Sequence, residues 1–385
     1  MKFAIVYDRL NKWGGAERVL LALHELYPEA ELYTSIYHRE KADWAKVFPV
    51  IYTSFIDKIG YLRDKHEFFS PLMPLTFESF DFDEYDLVIS VTSEAAKGII
   101  TKPGTLHICY CLTPTRYLWS HYYDYFQGNY FKLITKPIVW YLRKWDKIAA
   151  QRPDVIVAIS TAVQERIEEY YDRNTEVIYP PVEIEKFQIP PKGNIFSFGQ
   201  KHSKIQINPR IKFQKSRLKN YYLVVSRLVP YKRVDLVIEA FNQLNYPLVI
   251  VGAGSEEKKL KKMAKKNIEF TGFVGENELV YYYRGAKAFI FPQEEDFGIT
   301  AVEAQAAGCP VIAYKAGGAL DTVVDSVTGL YFNKQEVKGI VDAVKRFAKM
   351  DFDPEKIRKN AEKFSKDVFK SKFSMLINHY INKNL

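Results

Sequence analysis

Short apolar runs and amphipathic stretches alternate along nearly the whole chain. The first half holds apolar runs at 2–7, 31–37, 85–91, 106–111 and 154–160, and the second half holds them at 221–226, 246–252, 268–272, 287–292 and 310–314. Continuous apolar runs of this length are typical of buried parallel strands. Helical spacing between the runs predicts helices at 16–26, 161–171, 233–243, 256–266, 276–284, 319–324, 335–348, 354–363 and 366–383. Two successive sets of this alternation predict an α/β fold with two doubly wound parallel sheets.

Three segments depart from this alternation. Residues 38–80 are mixed and aromatic, and their pattern gives no order of elements. Residues 112–154 are dense in Tyr, Trp and Phe, and the cations between them are Lys132, Lys136, Arg143, Lys144 and Lys147. This segment is either a helix that packs large aromatic side chains into the domain, or an acceptor pocket or basic aromatic face on a membrane. Residues 192–220 lack a regular period and are interpreted as an interdomain linker or an inserted hairpin.

Length and composition limit the class of protein. With 385 residues, of which 47% are hydrophobic and 26% charged, the chain is globular and too long for one ordinary core. The first residues lack the apolar region of a signal peptide, and no apolar run reaches the length of about 18 residues that spans a bilayer. Cys109, Cys111 and Cys309 give neither a disulfide framework nor a metal-binding spacing. We therefore expect a cytoplasmic protein.

The net charge of +9 comes from one segment of the chain. Residues 192–220 hold eight Lys or Arg and no Asp or Glu, so that the remainder is nearly neutral. Because a local excess differs from the basic face of a nucleic-acid-binding fold, we expect no nucleic-acid partner.

The loop between strand 2–7 and the first helix contains Gly14 and Gly15. Backbone N–H groups at a helix start have no partner inside the helix, and they attract anions. The two glycines therefore either let an anionic group approach this helix or only make a tight turn.

Residues 291–314 hold the most informative pattern of the chain. Strand, acidic loop, helix and strand follow one another, with Gly298 at the helix start and the carboxylates Glu295 and Glu303 near it. Carboxylates repel a diphosphate, but they accept hydrogen bonds from hydroxyls. One hypothesis is that the two glutamates hold the sugar and the ribose of a nucleotide-sugar. The alternative is that Glu295 and Asp296 cap the helix and that Glu303 is solvated.

Several motifs resemble those of one known family. EEDFGITAVEAQAAGCPVIA fits its Glu-x7-Glu motif with Glu295 and Glu303, and SRLVPYKRVD is similar to its Arg and Lys pair, here Arg227 and Lys232. VGAGSE, GGALDTVV and GGAERV stand at the expected places. Over nearly its whole length the chain resembles the retaining glycosyltransferases of family 4, and most closely the bacterial mannosyltransferase-like members that build surface polysaccharides.

This resemblance implies a GT-B fold, in which two Rossmann-like doubly wound parallel-sheet domains face a cleft. The N-terminal, acceptor-side domain would span 1–185 and be completed by the C-terminal helix 366–385. The nucleotide-sugar-binding domain would span 221–365, with 186–220 as a basic linker or insert.

The resemblance also implies a role for each motif residue. Arg227 and Lys232 would neutralise the diphosphate and stabilise the leaving group, and Glu295 would contact hydroxyls of the donor sugar. The other donor-binding residues would be Gly14, Gly15, Gly252, Phe297, Gly298, Ile299, Thr300 and Glu303, with Glu303 on the ribose. The acceptor-side residues would be Glu17, Thr113 and Arg116. Neither a metal nor a cofactor is expected besides the GDP- or UDP-linked sugar that is the substrate.

Two positions depart from the family pattern. Leu112 stands before Thr113 and Pro114, where relatives commonly carry His, and Asp321 replaces the usual Glu in GGALDT. His107, a little earlier in the chain, is interpreted as a structural residue. The change at Leu112 implies a different donor geometry or a reduced activity.

The activity that the resemblance implies is transfer of a hexose, for example mannose from GDP-mannose, with retention of configuration. The acceptor would be a lipid-linked or growing glycan in surface polysaccharide synthesis, reached in the cytoplasm by peripheral contact with the inner face of the cell membrane. In the scheme favoured for this family the departing phosphate oxygen takes the proton of the acceptor, so that no protein nucleophile is needed. Two alternatives stay open, namely a nucleotide-sugar epimerase of GT-B fold and a non-catalytic nucleotide-sugar-binding protein.

Overall fold

The chain, described by a computed structural model, divides into two units. The structure describes residues 1–59, 70–120, 122, 129–188 and 220–384, and for 129–134 it describes the backbone only. The first unit comprises Met1–Pro181 and Lys366–Leu385, and the second unit comprises Val182–Ser365. The basic segment predicted as a linker or inserted hairpin lies outside the described residues, except for Asn220.

Each unit is built on one parallel sheet. The strands of the first are β1 (Phe3–Tyr7), β2 (Glu31–Thr34), β3 (Ile51–Thr53), β4 (Leu87–Thr92), β5 (Leu106–Cys111), β6 (Val155–Ala158) and β7 (Glu176–Val177). Those of the second are β8 (Tyr222–Val225), β9 (Leu248–Val251), β10 (Ile268–Gly272), β11 (Phe289–Phe291), β12 (Val311–Tyr314) and β13 (Gly329–Phe332). The spatial orders are β3-β2-β1-β4-β5-β6-β7 and β10-β9-β8-β11-β12-β13. Both orders reverse beside the first strand of the sheet, as in doubly wound folds.

Helices connect these strands. They are α1 (Gly15–Leu26), α2 (Met73–Glu78), α3 (Asn129–Ala149), α4 (Thr161–Tyr171), α5 (Val234–Leu244), α6 (Glu257–Met263), α7 (Glu276–Gly285), α8 (Ile299–Ala306), α9 (Ala319–Thr322), α10 (Val337–Phe347), α11 (Pro354–Ala361) and α12 (Lys366–Asn384). The last helix returns to the first unit, where Phe369 and Phe373 pack their rings edge-on against Tyr110 of β5. Lys366 and Lys370 of the same helix donate to Glu25 of α1 at 2.8 and 3.1 Å.

The sheet orders confirm the predicted α/β class with two Rossmann-like parallel-sheet domains. Central strands are mostly apolar because neighbouring strands and helices bury both of their faces, as for β4, in which all six residues are buried. β13 was not predicted because it begins with Gly329, and glycine in a sequence usually indicates a turn or a loop. The structure explains this glycine, since a Cβ there would overlap the backbone oxygen of Val311 in the adjacent strand.

The boundary between the units falls earlier than predicted. Residues from Val182 onward, including the 3-10 turn Ile184–Lys186, belong to the second unit. The backbone N–H of Val182 donates to the carbonyl of Phe364 at 2.9 Å, and Phe187 packs edge-on against Tyr283. The chain therefore changes unit directly after Pro180 and Pro181.

A buried ion pair holds α3 against the loop that follows β4. The Nζ atom of Lys97 lies 2.6 Å from a carboxylate oxygen of Asp146, and both side chains are almost fully buried. Asp146 also accepts hydrogen bonds from Trp119 Nε1 at 2.7 Å and from the Tyr171 hydroxyl at 2.7 Å. Because every charge here has a partner, the pair fixes the position of α3 without leaving a charge exposed to an apolar core.

Removing the charge of Asp146 should destabilise the first unit. Asp146→Asn keeps the size of the side chain but replaces one of its two acceptor oxygens by an NH2 donor and leaves Lys97 charged and buried, which costs about 3–5 kcal/mol of unfolding free energy. The double variant Lys97→Met/Asp146→Asn should recover most of this loss, since no buried charge is then unpaired. Urea unfolding followed by tryptophan fluorescence measures the effect, because all five tryptophans lie in the first unit. Equal stability of the single and double variants would contradict the explanation.

Candidate functional site

The second sheet brings two distant loops together at its switch point. β8 and β11 are neighbours, although the chain passes through β9 and β10 between them. The loop after β8 carries Arg227 and Lys232, and the loop after β11 carries Gln293 to Gly298. In doubly wound sheets, ligands bind outside the carboxyl ends of the strands where the strand order reverses. The predicted catalytic residues of this unit therefore lie at the position where such a fold binds its ligand.

An ion pair between Lys232 and Glu295 connects the two loops. Both side chains are mostly buried, with 13% and 19% of their surfaces exposed. Gln293 Nε2 donates to the same oxygen of Glu295 at 3.5 Å. The backbone carbonyl of Glu295 accepts from the N–H of Gly318 at 2.8 Å, which holds the acidic loop against the GGALDT segment. The pair is thus set in place by backbone as well as side-chain contacts.

Arg227 lies beside this pair and is exposed. Its Nη2 atom donates to the hydroxyl of Tyr231 at 2.6 Å, and Lys232 Nζ lies 5.2 Å from the centre of the Tyr231 ring. The Tyr231 side chain therefore contacts both cations. No role was predicted for Tyr231, although it stands between Arg227 and Lys232 in the motif.

Helix α8 begins at the left-handed Gly298, whose φ is +92°. A side chain at this φ would be strained, so the sharp entry into α8 requires glycine. The N-cap position is Gly298 itself, which has no side chain with which to cap the helix. Ile299 and Thr300 form the first turn of α8 and are half-buried, while Phe297 is buried against Phe364.

Glu303 lies in the interior of the second unit. Only 3% of its surface is exposed, and one oxygen accepts from the Tyr283 hydroxyl at 3.3 Å. The alternative in which Glu303 is solvated is therefore wrong. Gly252 follows β9, and its N–H donates to the carbonyl of Gly272 at 2.8 Å. Asp321 lies in the first turn of α9 and is half-buried.

In the first unit, Asp8 fixes the loops at the switch point between β1 and β4. Its carboxylate accepts from the backbone N–H groups of Ser93, Glu94, Ala95 and Ala96 at 2.7–3.0 Å. Arg9 forms an ion pair with Glu94 across the same two loops. Gly14 and Gly15 follow this anchored segment and lead into α1. The acceptor capacity of Asp8 is used by the backbone, so Asp8 positions the loops.

Glu17, in the first turn of α1, is one of the buried carboxylates of the first unit. Its Oε1 atom accepts from the Tyr7 hydroxyl at 2.9 Å, whereas Oε2 is buried without a hydrogen-bond partner. Burial raises the pKa of Glu17 above its ordinary value of 4.5. Glu17 lies directly behind the glycine loop, since its Oε2 would be 3.1 Å from a Cβ placed on Gly14.

Thr113 and Arg116 follow β5, two strands away from the Gly14–Gly15 loop. Thr113 is buried, and its hydroxyl oxygen has no hydrogen-bond partner. Arg116 and Leu112 are half-buried. His107 is fully buried with Nε2 2.8 Å from the hydroxyl of Ser90, and burial together with the charges of Arg152 and Arg173 lowers its pKa to about 3. A neutral, enclosed His107 agrees with the structural role expected from the sequence.

The described residues contain neither a group of metal-binding side chains nor a membrane-spanning helix. No group of three or more His, Cys, Asp or Glu side chains in this part of the chain is placed to hold a metal ion. Cys109, Cys111 and Cys309 are buried as free thiols. None of the described helices combines the length and the apolar character that crossing a bilayer requires.

The environment of Glu17 predicts a pH-dependent stability. Because its pKa is higher in the folded protein, the stability that Glu17 contributes in acid is lost as the pH rises from 4.5 through the folded pKa. Glu17→Gln is neutral at every pH, so its free energy of unfolding should increase relative to the native protein between pH 4 and pH 8. The matched control is Glu165→Gln, on the exposed side of α4. If the difference in unfolding free energy between Glu17→Gln and the native protein does not change with pH, this prediction is wrong.

Comparisons with known proteins agree with this arrangement. Residues 208–364 match the family model described as glycosyl transferases group 1. The GDP-mannose-dependent alpha-(1-6)-phosphatidylinositol monomannoside mannosyltransferase of Mycobacterium tuberculosis is 29% identical over 211 residues, which are 50% of this chain and 51% of that protein. An uncharacterized glycosyltransferase of Methanocaldococcus jannaschii is 29% identical over 152 residues, 38% of this chain and 43% of the relative. The chain thus spans about half, or less, of the length of these curated relatives.

Solved structures share the fold over the full chain. HepE of Anabaena in complex with UDP superposes with a TM-score of 0.69 at 19% identity, covering 98% of this chain and 100% of that one. Sucrose-phosphate synthase of Thermosynechococcus elongatus gives a TM-score of 0.70 at 16% identity and covers 100% of both chains. At these identities the likeness concerns the fold alone. The match to the model described as glycosyl transferases group 1 thus covers residues 208–364, and the solved structures add a shared fold of two Rossmann-like parallel-sheet domains.

Proposed function

We propose that the protein is a retaining glycosyltransferase that moves a hexose from a nucleotide-sugar to a lipid-linked or growing glycan in surface polysaccharide synthesis. The observation that carries the proposal is the Lys232–Glu295 ion pair, with Arg227 beside it, at the switch point of a domain that matches the group 1 family model. Two cations and a carboxylate at such a crevice suit a ligand that has both a diphosphate and hydroxyl groups.

Donor binding would exchange the partners of the ion pair. The diphosphate supplies the negative charge that Glu295 now provides to Lys232, and the released carboxylate accepts hydrogen bonds from hydroxyls of the sugar. Arg227 adds a second cation on the exposed side. The N–H groups of Phe297, Gly298 and Ile299 at the start of α8 offer further donors for the pocket. After this exchange Lys232 faces the diphosphate, and the Glu295 carboxylate is held by hydrogen bonds from hydroxyls.

The same cations act on the chemical step. As the bond between the anomeric carbon and the phosphate oxygen breaks, negative charge grows on the departing diphosphate, and Arg227 and Lys232 stabilise it. The acceptor hydroxyl forms its new bond on the face from which the diphosphate leaves, and its proton goes to the departing phosphate oxygen. Configuration is retained without a protein nucleophile. A mechanism with two carboxylates on opposite faces of the sugar is disfavoured, since Glu303 of α8 is enclosed in the second unit with only 3% of its surface exposed.

We propose the base and the sugar of the donor from the ligands named for two similar proteins. The mycobacterial relative is described as GDP-mannose-dependent, and HepE was solved with UDP. We take GDP-mannose as the first donor to test and UDP-linked hexoses as the second. The substrate would be used without a metal or other cofactor.

The acceptor side is proposed for Glu17, Thr113 and Arg116 of the first unit, with Gly14 and Gly15 giving room for the donor or acceptor near α1. Thr113 has a buried hydroxyl without a partner, which is available for a ligand that enters beside β5. We place the enzyme in the cytoplasm at the inner face of the cell membrane, where a polyprenyl-linked acceptor is reached, and we assign it no nucleic-acid partner.

Donor binding should be visible as thermal stabilisation. A saturating nucleotide-sugar, in about a hundredfold excess over Kd, is expected to raise Tm by about 5 to 10 °C. GDP-mannose, UDP-glucose and UDP-N-acetylglucosamine are compared by differential scanning fluorimetry. Lys232→Ala should lose the shift, whereas Lys258→Ala on the exposed side of α6 should keep it. The absence of any shift with the native protein would argue against a nucleotide-sugar ligand.

Transfer should depend on the charges at the switch point. Glu295→Ala and Arg227→Ala are each expected to lower kcat/KM by about a hundredfold to a thousandfold, because each removes an interaction with the donor or its developing charge. Glu294→Ala, the exposed neighbour in the same loop, should keep nearly full activity. The anomeric configuration of the product, measured by NMR, tests retention.

The same binding and transfer measurements distinguish a glycosyltransferase from the two alternative functions. Isomerisation of the sugar without any acceptor would indicate an epimerase. Donor binding without transfer to any glycan acceptor would indicate a non-catalytic binding protein, for which Leu112 in place of the usual His is the specific motive.

A further inference from the structure

Helix α3 turns one side to the interior of the first unit and the other side to solvent. Val139 and Leu142 pack on Leu118, and Asp146 is buried with Lys97. The opposite side, which we call the α3 face, consists of the exposed residues Lys136, Trp140, Tyr141, Lys144, Lys147 and Ile148. Their separations of three, four and seven positions place them along one side of the helix on successive turns.

The apolar members of the α3 face are unusually exposed. Trp140, Tyr141 and Ile148 expose 61%, 51% and 62% of their surfaces. One such residue alone needs no explanation, but three on one side of one helix indicate an interaction surface. The neighbouring α2, joined to α3 by the hydrogen bond from Trp145 Nε1 to Glu78 at 2.7 Å, also leaves Leu72 and Leu75 exposed.

The charged members of the α3 face are all lysines. Asp146 is the one acidic residue in the sequence of α3, and its charge is used inside the unit by Lys97. Lys144 Nζ lies 3.8 Å from the centre of the Trp140 ring, so the ammonium group and the indole share one site on the surface. The face ends near a surface depression where Glu169 and Asp172 lie with Lys147 and Ile148. Positive charge is thus concentrated on the outward side of the helix.

The residues of the α3 face favour a lipid surface over a protein as the binding partner. A protein-binding patch has an apolar centre with a polar rim and few lysines, whereas here three lysines lie on both sides of Trp140 and Tyr141 along the helix. Lysine stems that reach past buried aromatic rings towards anionic headgroups, with Trp and Tyr at the polar–apolar boundary, are typical of helices that lie on membranes.

We propose that the α3 face binds the surface of an anionic lipid bilayer, with Trp140, Tyr141 and Ile148 entering the headgroup region and Lys136, Lys144 and Lys147 contacting acidic lipids. The inference rests on the proposed function for its purpose, because a lipid-linked acceptor is presented at such a surface. Its physical basis, the exposed residues of α3, is separate from the residues of the candidate donor site.

Flotation of the full-length protein with vesicles tests the proposal. Binding is expected to phosphatidylcholine vesicles that contain phosphatidylglycerol, and not to phosphatidylcholine alone. It should weaken strongly in about 1 M salt, where the Debye length is about 3 Å. Trp140→Ala should lower the partition coefficient by about tenfold, and Lys136→Glu/Lys144→Glu/Lys147→Glu should lower it by at least about a hundredfold.

Two matched variants decide where binding occurs. Lys258→Glu/Lys262→Glu/Lys266→Glu changes the same number of charges at exposed positions of the second unit, and it should bind as the native protein does. Lys201→Glu/Lys204→Glu/Lys212→Glu changes the basic segment 192–220. If this last variant alone loses binding, or if the native protein fails to bind anionic vesicles at low salt, the α3 face is not the membrane contact.

The same variants distinguish this inference from the proposed function. Trp140→Ala and the α3 lysine variant should keep the native Tm and the native thermal shift with nucleotide-sugar, because none of their residues lies in the candidate donor site. Vesicle binding without any transfer activity would contradict the proposed function and leave the membrane contact standing. Transfer to a lipid-linked acceptor by a protein that never binds vesicles would overturn the membrane contact alone.

Discussion

The ion pair between Lys232 and Glu295 joins the two loops on which the candidate donor site depends. The two residues are 63 positions apart, and they meet only because β9 and β10 have been placed on the far side of β8, which leaves β11 to pair with its other edge. A partly buried ion pair gains little net free energy, since desolvation offsets most of its attraction. In the proposed reaction the pair can be exchanged, because a diphosphate replaces Glu295 as the partner of Lys232, and sugar hydroxyls replace Lys232 as the hydrogen-bond donors to Glu295.

In the first unit, by contrast, two buried carboxylates have a structural role. Asp8 receives four backbone N–H groups, and Asp146 is balanced by Lys97, so both are committed to holding loops and helices in place. Glu17 differs, since one of its oxygens is buried without a partner and its pKa is raised by burial. A ligand or a proton can satisfy Glu17, whereas neither is needed by Asp8. The buried carboxylates of this unit are therefore not equivalent candidates for function.

Much of the fold could be predicted because burial leaves a local trace in the sequence. The apolar runs predicted as strands are buried on both faces in β1, β4, β5, β8, β9 and β12. The helical spacing of apolar residues in α1, α7 and α12 indicates which side of each helix packs against the rest of its unit. β3 has three residues and β13 begins with Gly329, so neither gives a period that a local pattern can detect. The site was found through motif residues, but the burial of Glu303 under Tyr283 and the position of Tyr231 between two cations were not visible in the motif.

The sequence by itself determined the fold class, the alternation into two parallel-sheet domains, and the positions of Arg227, Lys232, Glu295 and Glu303 in a recognisable pattern. Only the tertiary structure decided that Glu295 pairs with Lys232, that Glu303 is enclosed, and that the lysines and aromatic residues of α3 lie on its outward side. The reason is physical. Hydrophobic periodicity shows which side of a helix or strand is buried, and it can be read within that element alone. The partner of a charged side chain depends on strand order, which is set by packing between segments far apart in the chain.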